Sequence, residues 1–154
     1  GTLKEVFSST PPLRLNATST DDNGSWEKIN NVIFGVDSSL CFSVNEDQNM
    51  GLFLQEKNLS TLVNDTRTLR FSCNAFQEVD GECILIIAVD EKGVNTYYQG
   101  IPIHKQLQDK KTWTSIELIA SIPPAVSENN KLSVYIYNSG QSKTLFKDVT
   151  VRLY

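Results

Sequence analysis

At 154 residues, with 40% hydrophobic and 21% charged content, the chain is long enough to bury one core and needs no second domain. Its 14 basic against 18 acidic side chains give a net charge of -4, which leaves no cationic field to hold a phosphate backbone, so nucleic acid is not an expected partner. The longest apolar run, Cys83 to Val89, falls far short of the roughly 20 residues of a membrane-spanning helix, and the chain is not expected to be transmembrane.

In chain order, Gly1 reads as a residue left by tag removal; the natural N-terminus is expected to have been trimmed, which leaves export open. The stretch from Ser8 to Ser25 carries Thr10-Pro11-Pro12 and then Asn16-Ala17-Thr18-Ser19-Thr20-Asp21-Asp22-Asn23-Gly24. It lacks the apolar content of a buried strand, so 9–25 is expected to be a long surface loop. Beyond it the pattern has period two almost everywhere, the mark of half-buried strands. Leu40, Phe42 and Val44 alternate with Ser39, Cys41 and Ser43, and Leu69, Phe71, Cys73 and Ala75 alternate with Thr68, Arg70, Ser72 and Asn74. Cys83 to Val89 is apolar at both parities, as a strand in the middle of a sheet should be. Tyr97 and Gln99 then alternate with Thr96 and Tyr98, and a polar link from Gln106 to Lys111 follows.

The last third is the most regular. A strand opened by Trp113 runs to Ala120 and breaks at Ile122-Pro123-Pro124; Leu132 to Asn138 follows, then the turn Ser139-Gly140, then Leu145 to Leu153. Gly, Asn and Asp mark turns at Gly35-Val36-Asp37, Asp47-Gln48-Asn49, Val79-Asp80-Gly81, Glu91-Lys92-Gly93 and Glu128-Asn129-Asn130. Roughly nine or ten short strands result, which predicts a single all-β domain over 1–154, an antiparallel β-sandwich of two sheets. The three cysteines, Cys41, Cys73 and Cys83, cannot all pair within one chain and lack C-x-x-C spacing. Cys73 and Cys83 are expected on neighbouring strands of one hairpin, where a bridge is geometrically possible if their registers match; otherwise each is a small buried hydrophobe.

The order Tyr97-Tyr98-Gln99, Trp113-Thr114, Ile122-Pro123-Pro124, Leu132 to Gly140 and Leu145-Phe146-Lys147-Asp148-Val149-Thr150-Val151 resembles the C-terminal half of the galactose-binding-like jelly rolls, a superfamily that includes many bacterial carbohydrate-binding modules. The resemblance is clear over the last 40 or so residues and extends back to Val32. It implies a jelly-roll sandwich and a carbohydrate partner. It also raises a structural calcium, held in that family between an acidic residue of the first strand and an Asp-Asp of the last. Here Lys147 stands at the first Asp position and Phe7-Ser8 where Phe-Glu is usual, so Asp148 is the one side-chain ligand left, beside an ammonium that opposes a dication. No other cofactor is expected.

Sugar recognition needs flat rings against pyranose C–H faces and a few polar groups for the hydroxyls. If Leu132, Val134 and Ile136 face the core, Ser133, Tyr135 and Tyr137 face out, with the two phenols about 7 Å apart by the strand rise. Tyr97, Gln99, Glu117, Arg70 and Asn74 are expected to complete a groove from neighbouring strands. Tyrosine is also favoured on sheets for cross-strand packing alone, and Trp113 and Trp26 read as plugs at the core edge. His104, the one histidine, has no G-x-S-x-G partner motif, and Glu117 has no second carboxylate assigned to its face, so no enzyme is expected. Four N-x-S/T sites, at Asn16, Asn23, Asn58 and Asn64, suit a secreted eukaryotic chain but also arise by chance in so polar a sequence.

The expected function is a non-catalytic module of an exported bacterial protein, extracellular, periplasmic or at the cell surface, that binds an oligosaccharide or polysaccharide, with a linked domain or surface protein as a second partner. The alternative is a structural or protein-interaction sandwich with no small ligand.

Overall fold

A computed structural model describes residues 16–18, 26–27, 32–34, 40–47, 49–107 and 109–154. Eleven strands form two antiparallel sheets. The six-stranded sheet contains β3 (Val32–Phe34), β4 (Leu40–Val44), β11 (Thr144–Leu153), β6 (Arg67–Gln77) and β9 (Thr114–Ile122) in that order, with β1 (Asn16–Thr18) also paired to β11. The five-stranded sheet runs β2 (Trp26–Glu27), β5 (Met50–Lys57), β10 (Asn130–Asn138), β7 (Cys83–Glu91) and β8 (Val94–Pro102). Among the described residues the helical content is two single 3-10 turns, Ser60–Leu62 and His104–Gln106.

The period-two reading of the core holds at the packed positions. Leu69, Phe71, Cys73 and Ala75 of β6, Cys83, Leu85, Ile87 and Val89 of β7, Ile116, Leu118, Ala120 and Ile122 of β9, Leu132, Val134 and Ile136 of β10, and Phe146, Val149, Val151 and Leu153 of β11 form one cluster between the sheets. The strand expected mid-sheet, β7, lies between β10 and β8. The described turn positions fall at strand junctions, because residues such as Lys92 (φ 52) and Gly93 (φ 79) supply the left-handed backbone of a two-residue hairpin loop. Gly35-Val36-Asp37 lies outside the described residues.

Three expectations change. The stretch expected to be a loop over 9–25 contains β1, whose Asn16, Ala17 and Thr18 pair with Arg152, Val151 and Thr150 of β11. The physical reason is an open backbone edge: β4 covers β11 only from Thr144 to Phe146, and an edge pairing needs main-chain groups rather than an apolar run. Cys73 and Cys83 are not hairpin neighbours; β6 and β7 belong to different sheets, and both thiols are free and buried in the core. The strand after Trp113 starts at Thr114, and Trp113 itself packs on a small separate cluster with Phe76 and Leu145, its ring 5.4 Å from that of Phe76. The side chains of Cys41 and Trp26 lie outside the described residues.

Candidate functional site

Strand β10 turns Leu132, Val134 and Ile136 to the core, so Lys131, Ser133, Tyr135 and Tyr137 emerge on the outer face of the five-stranded sheet. The β7 residues opposite them are Asp90, Ala88, Ile86 and Ile84, of which the two isoleucines make an apolar floor beside the two tyrosines. On β8 the same rows continue as Tyr98 opposite Ala88, Gly100 opposite Ile86 and Pro102 opposite Ile84. Gly100 leaves space by what it lacks: a Cβ there would stand 3.1 Å from Ile84 Cγ2 and 3.5 Å from Ile86 Cδ1, so its absence gives those side chains room. Ile86 is 3% exposed even though it faces outward, while Tyr98 is 60% exposed.

Tyr98, Tyr135 and Tyr137 thus share one face, with Ser133 and, across from it on β5, Gln55 as polar neighbours. Burial pushes the Tyr135 phenol up, and the adjacent Tyr98 hydroxyl adds to the rise, so the two hydroxyls interact across a diagonal of the sheet. Flat rings beside a dry aliphatic floor, edged by hydroxyl and amide groups, can stack on an apolar ring face and hydrogen-bond its rim.

The groove expected from Tyr135, Tyr137, Tyr97, Gln99, Glu117, Arg70 and Asn74 is divided among three places. Tyr97 and Gln99 sit on the inward side of β8, where Tyr97 packs against the core with Ile101. Its Oη meets Gln99 Oε1 and reaches the Ser121 carbonyl oxygen of β9 at 3.1 Å, and burial raises its phenol pKa. This pair closes the open edge of the sandwich. Arg70 and Glu117 lie on the outer face of the six-stranded sheet, where Arg70 Nη2 donates to Glu117 Oε2 at 2.8 Å, and that bond raises the guanidinium pKa. Asn74 Nδ2 donates to Asp148 Oδ2 at 3.0 Å on the same face. Period two tells which residues share a side of one strand; it does not tell into which sheet each strand goes. Tyr98 could have been chosen over Tyr97, since Ile101 and Ile103 have the parity of Tyr97 and apolar character.

Asp148 sits in a bulge of β11 between Lys147 and Thr150, with φ 54, and Lys147 Nζ lies 4.2 Å over the Trp113 ring. Phe7 and Ser8 are outside the described residues, and no three His, Cys, Asp or Glu side chains converge among the described residues. His104 Nδ1 lies 3.2 Å from the Cys83 amide nitrogen and 3.0 Å from the Cys83 carbonyl oxygen, a position that fixes the start of β7. No described helix is long and apolar enough to cross a membrane.

No protein-family model matches the chain, and no curated protein matches it. The strand order of the two sheets is that of a jelly-roll sandwich. Similar solved structures include a xylan-binding module CBM15, with 15% identity, 93% of this chain and 97% of that one covered, and a TM-score of 0.49. Another is the CBM22-1 xylan-binding domain of Paenibacillus barcinonensis Xyn10C, at 10% identity, 92% and 87% coverage and a TM-score of 0.45. A third is a family 16 carbohydrate-binding module, at 12% identity, 85% and 88% coverage and a TM-score of 0.43. At such identities the likeness is one of architecture, and ligands do not transfer with architecture alone.

Proposed function

We propose that this protein is a non-catalytic carbohydrate-binding module that takes a glycan chain on the outer face of its five-stranded sheet. The observation that carries the reading is the placement of Tyr98, Tyr135 and Tyr137 on one solvent-facing surface beside the floor of Ile84, Ile86 and Gly100. Ser133 and Gln55 supply hydrogen bonds to hydroxyls, and Glu117, held by Arg70 on the far side of the sandwich, takes no part. The similarity in fold to xylan-binding modules supports the ligand class without choosing the sugar. In this reading the module works outside the cytoplasm of a bacterium, extracellular, periplasmic or at the cell surface, tethered to another domain or surface protein that raises its effective affinity.

A shallow site of this kind binds with a Kd from about 1 mM to 1 μM. Calorimetric titration with a panel of neutral oligosaccharides is expected to give saturable binding to at least one, weakened by about tenfold or more in Tyr135→Ala with no loss of thermal stability. Flat titrations across the panel, alongside a stable pull-down of a protein partner, would replace this reading with that of a protein-interaction sandwich.

A further inference from the structure

At one end of the tyrosine face the surface changes from aromatic to cationic. A cleft of about 250 Å³ opens there between Lys57 at the end of β5, Lys92 in the β7–β8 turn and Lys131 at the start of β10, with Asn58, Asp90, Gly93, Asn129 and Asn130 completing its walls. Lys57 and Lys131 are direct cross-strand partners, an arrangement of like charges that lowers sheet stability unless an anion relieves it. Lys131 Nζ reaches Asp90 Oδ2 at 3.6 Å, and Asp90 also accepts from Asn95 Nδ2 at 3.1 Å. Among the described residues neither Lys57 nor Lys92 has a carboxylate at ion-pair distance. Glu56 pairs with Leu132, which by alternation puts it on the other side of the strand from Lys57. Three lysines and one carboxylate, already paired with Lys131, therefore line the cleft, in a chain whose net charge is -4.

The walls are fixed. Asn130 is 3% exposed; its Oδ1 accepts from the Leu59 amide at 2.9 Å and its Nδ2 donates to the carbonyl oxygens of Leu59 at 3.0 Å and Ser127 at 2.9 Å. The backbone amides of Asn58 and Lys92 donate to Asn130 O at 2.7 Å and Asn129 O at 2.8 Å. Four strand residues, about 13 Å along β10, separate Tyr135 from Lys131, so an extended chain on the tyrosines runs into the lysines.

Resting on the glycan reading above, we infer that the ligand is an acidic polysaccharide, whose carboxylate or sulfate groups seat between Lys57, Lys92 and Lys131 while its sugar rings lie on Tyr98, Tyr135 and Tyr137. Two lysines with no carboxylate at ion-pair distance among the described residues attract such groups from solution, and the tyrosines discriminate a sugar chain from other polyanions.

The test pairs charged probes with neutral counterparts: polygalacturonate with its fully methyl-esterified form, and dextran sulfate with dextran. Binding to at least one charged member is expected to be about tenfold tighter than to its counterpart in low salt, to weaken as salt rises, and to fall to the neutral level in Lys57→Gln/Lys92→Gln. Whichever pair shows the larger difference identifies carboxylate or sulfate as the group read. Equal affinity within both pairs overturns this inference while leaving the glycan reading intact. Binding of poly-L-glutamate as tight as that of the acidic glycans overturns it as well, and an absence of binding to every glycan, charged or neutral, removes both.

Discussion

The two outer faces of the sandwich are built from the same kind of strand and have opposite character. On the six-stranded sheet Arg70 pairs with Glu117, Asn74 pairs with Asp148, and Lys147 lies over Trp113. On the five-stranded sheet three tyrosines stand beside an aliphatic floor, and two lysines at its end have no carboxylate partner among the described residues. A face whose groups answer each other adds modestly to stability and has little left for a ligand. On the proposed reading, a face with Tyr98 exposed and two lysines without a carboxylate among the described residues keeps its capacity for something outside the chain.

The contrast depends on a frame that holds both faces, and the largest effect comes from breaking it. Phe71, 1% exposed in the core, joins the two sheets, and Phe71→Ala is expected to lose about 3 to 5 kcal/mol in urea unfolding, with both faces lost together. A loss under about 1 kcal/mol would mean the sheets do not fold as one unit.

The thiols give the next effect, one on each sheet. Burial pushes Cys83 up to about 11 and Cys73 higher still, the neighbouring Cys83 thiol adding to the latter. Because the folded thiol pKa lies above the unfolded one, the contribution is complete below about pH 8.5 and is lost as pH rises through about 11, as the unfolded chain ionises first. The Cys83 thiol alone is expected to take about 2 to 3 kcal/mol of stability over that window, the part of the decline that Cys83→Ala removes. A pH-independent plateau from 8.5 to 11 would show the thiols to be solvated.

Asn130→Ala sharpens the comparison at the cationic end. It strands the Leu59 amide and carbonyl, and a cost of about 1 to 3 kcal/mol with faster hydrogen exchange at Leu59 is expected; unchanged exchange there would mean that water replaces the side chain. The smallest effect belongs to the paired face. Arg70→Ala and Glu117→Gln should each change stability by about 0 to 1 kcal/mol and leave glycan affinity as it was, since the pair is largely exposed. A large loss of affinity in either would move the site to the other sheet.

Much of this frame is legible in the chain. The alternation of Leu69, Phe71, Cys73 and Ala75, or of Leu132, Val134 and Ile136, names its core residues because burial on one face forces period two. Turns at Asp80-Gly81, Lys92-Gly93 and Ser139-Gly140 follow from local backbone preference. What alternation cannot supply is the assignment of strands to sheets, which depends on long-range pairing; hence Arg70, Asn74 and Glu117 were grouped with Tyr135 although β6 and β9 lie across the sandwich from β10. Which of Tyr97 and Tyr98 faces outward is harder to read, as two adjacent tyrosines leave parity to be taken from Ile101 and Ile103, and Tyr97 packs inward with Ile101. The lysine cleft is not legible in the chain because Lys57, Lys92 and Lys131 are distant in sequence and meet only through the β5–β10 register and the β7–β8 turn.

The most direct test of the central claim is a two-dimensional NMR titration of the labelled protein with a hexasaccharide that binds. Shifts centred on the backbone amides of Tyr98, Ser133, Tyr135 and Tyr137 and their neighbours on β7, extending to Lys57, Lys92 and Lys131 when the hexasaccharide is acidic, are the predicted result. Shifts centred instead on Arg70, Asn74 and Glu117 would contradict it.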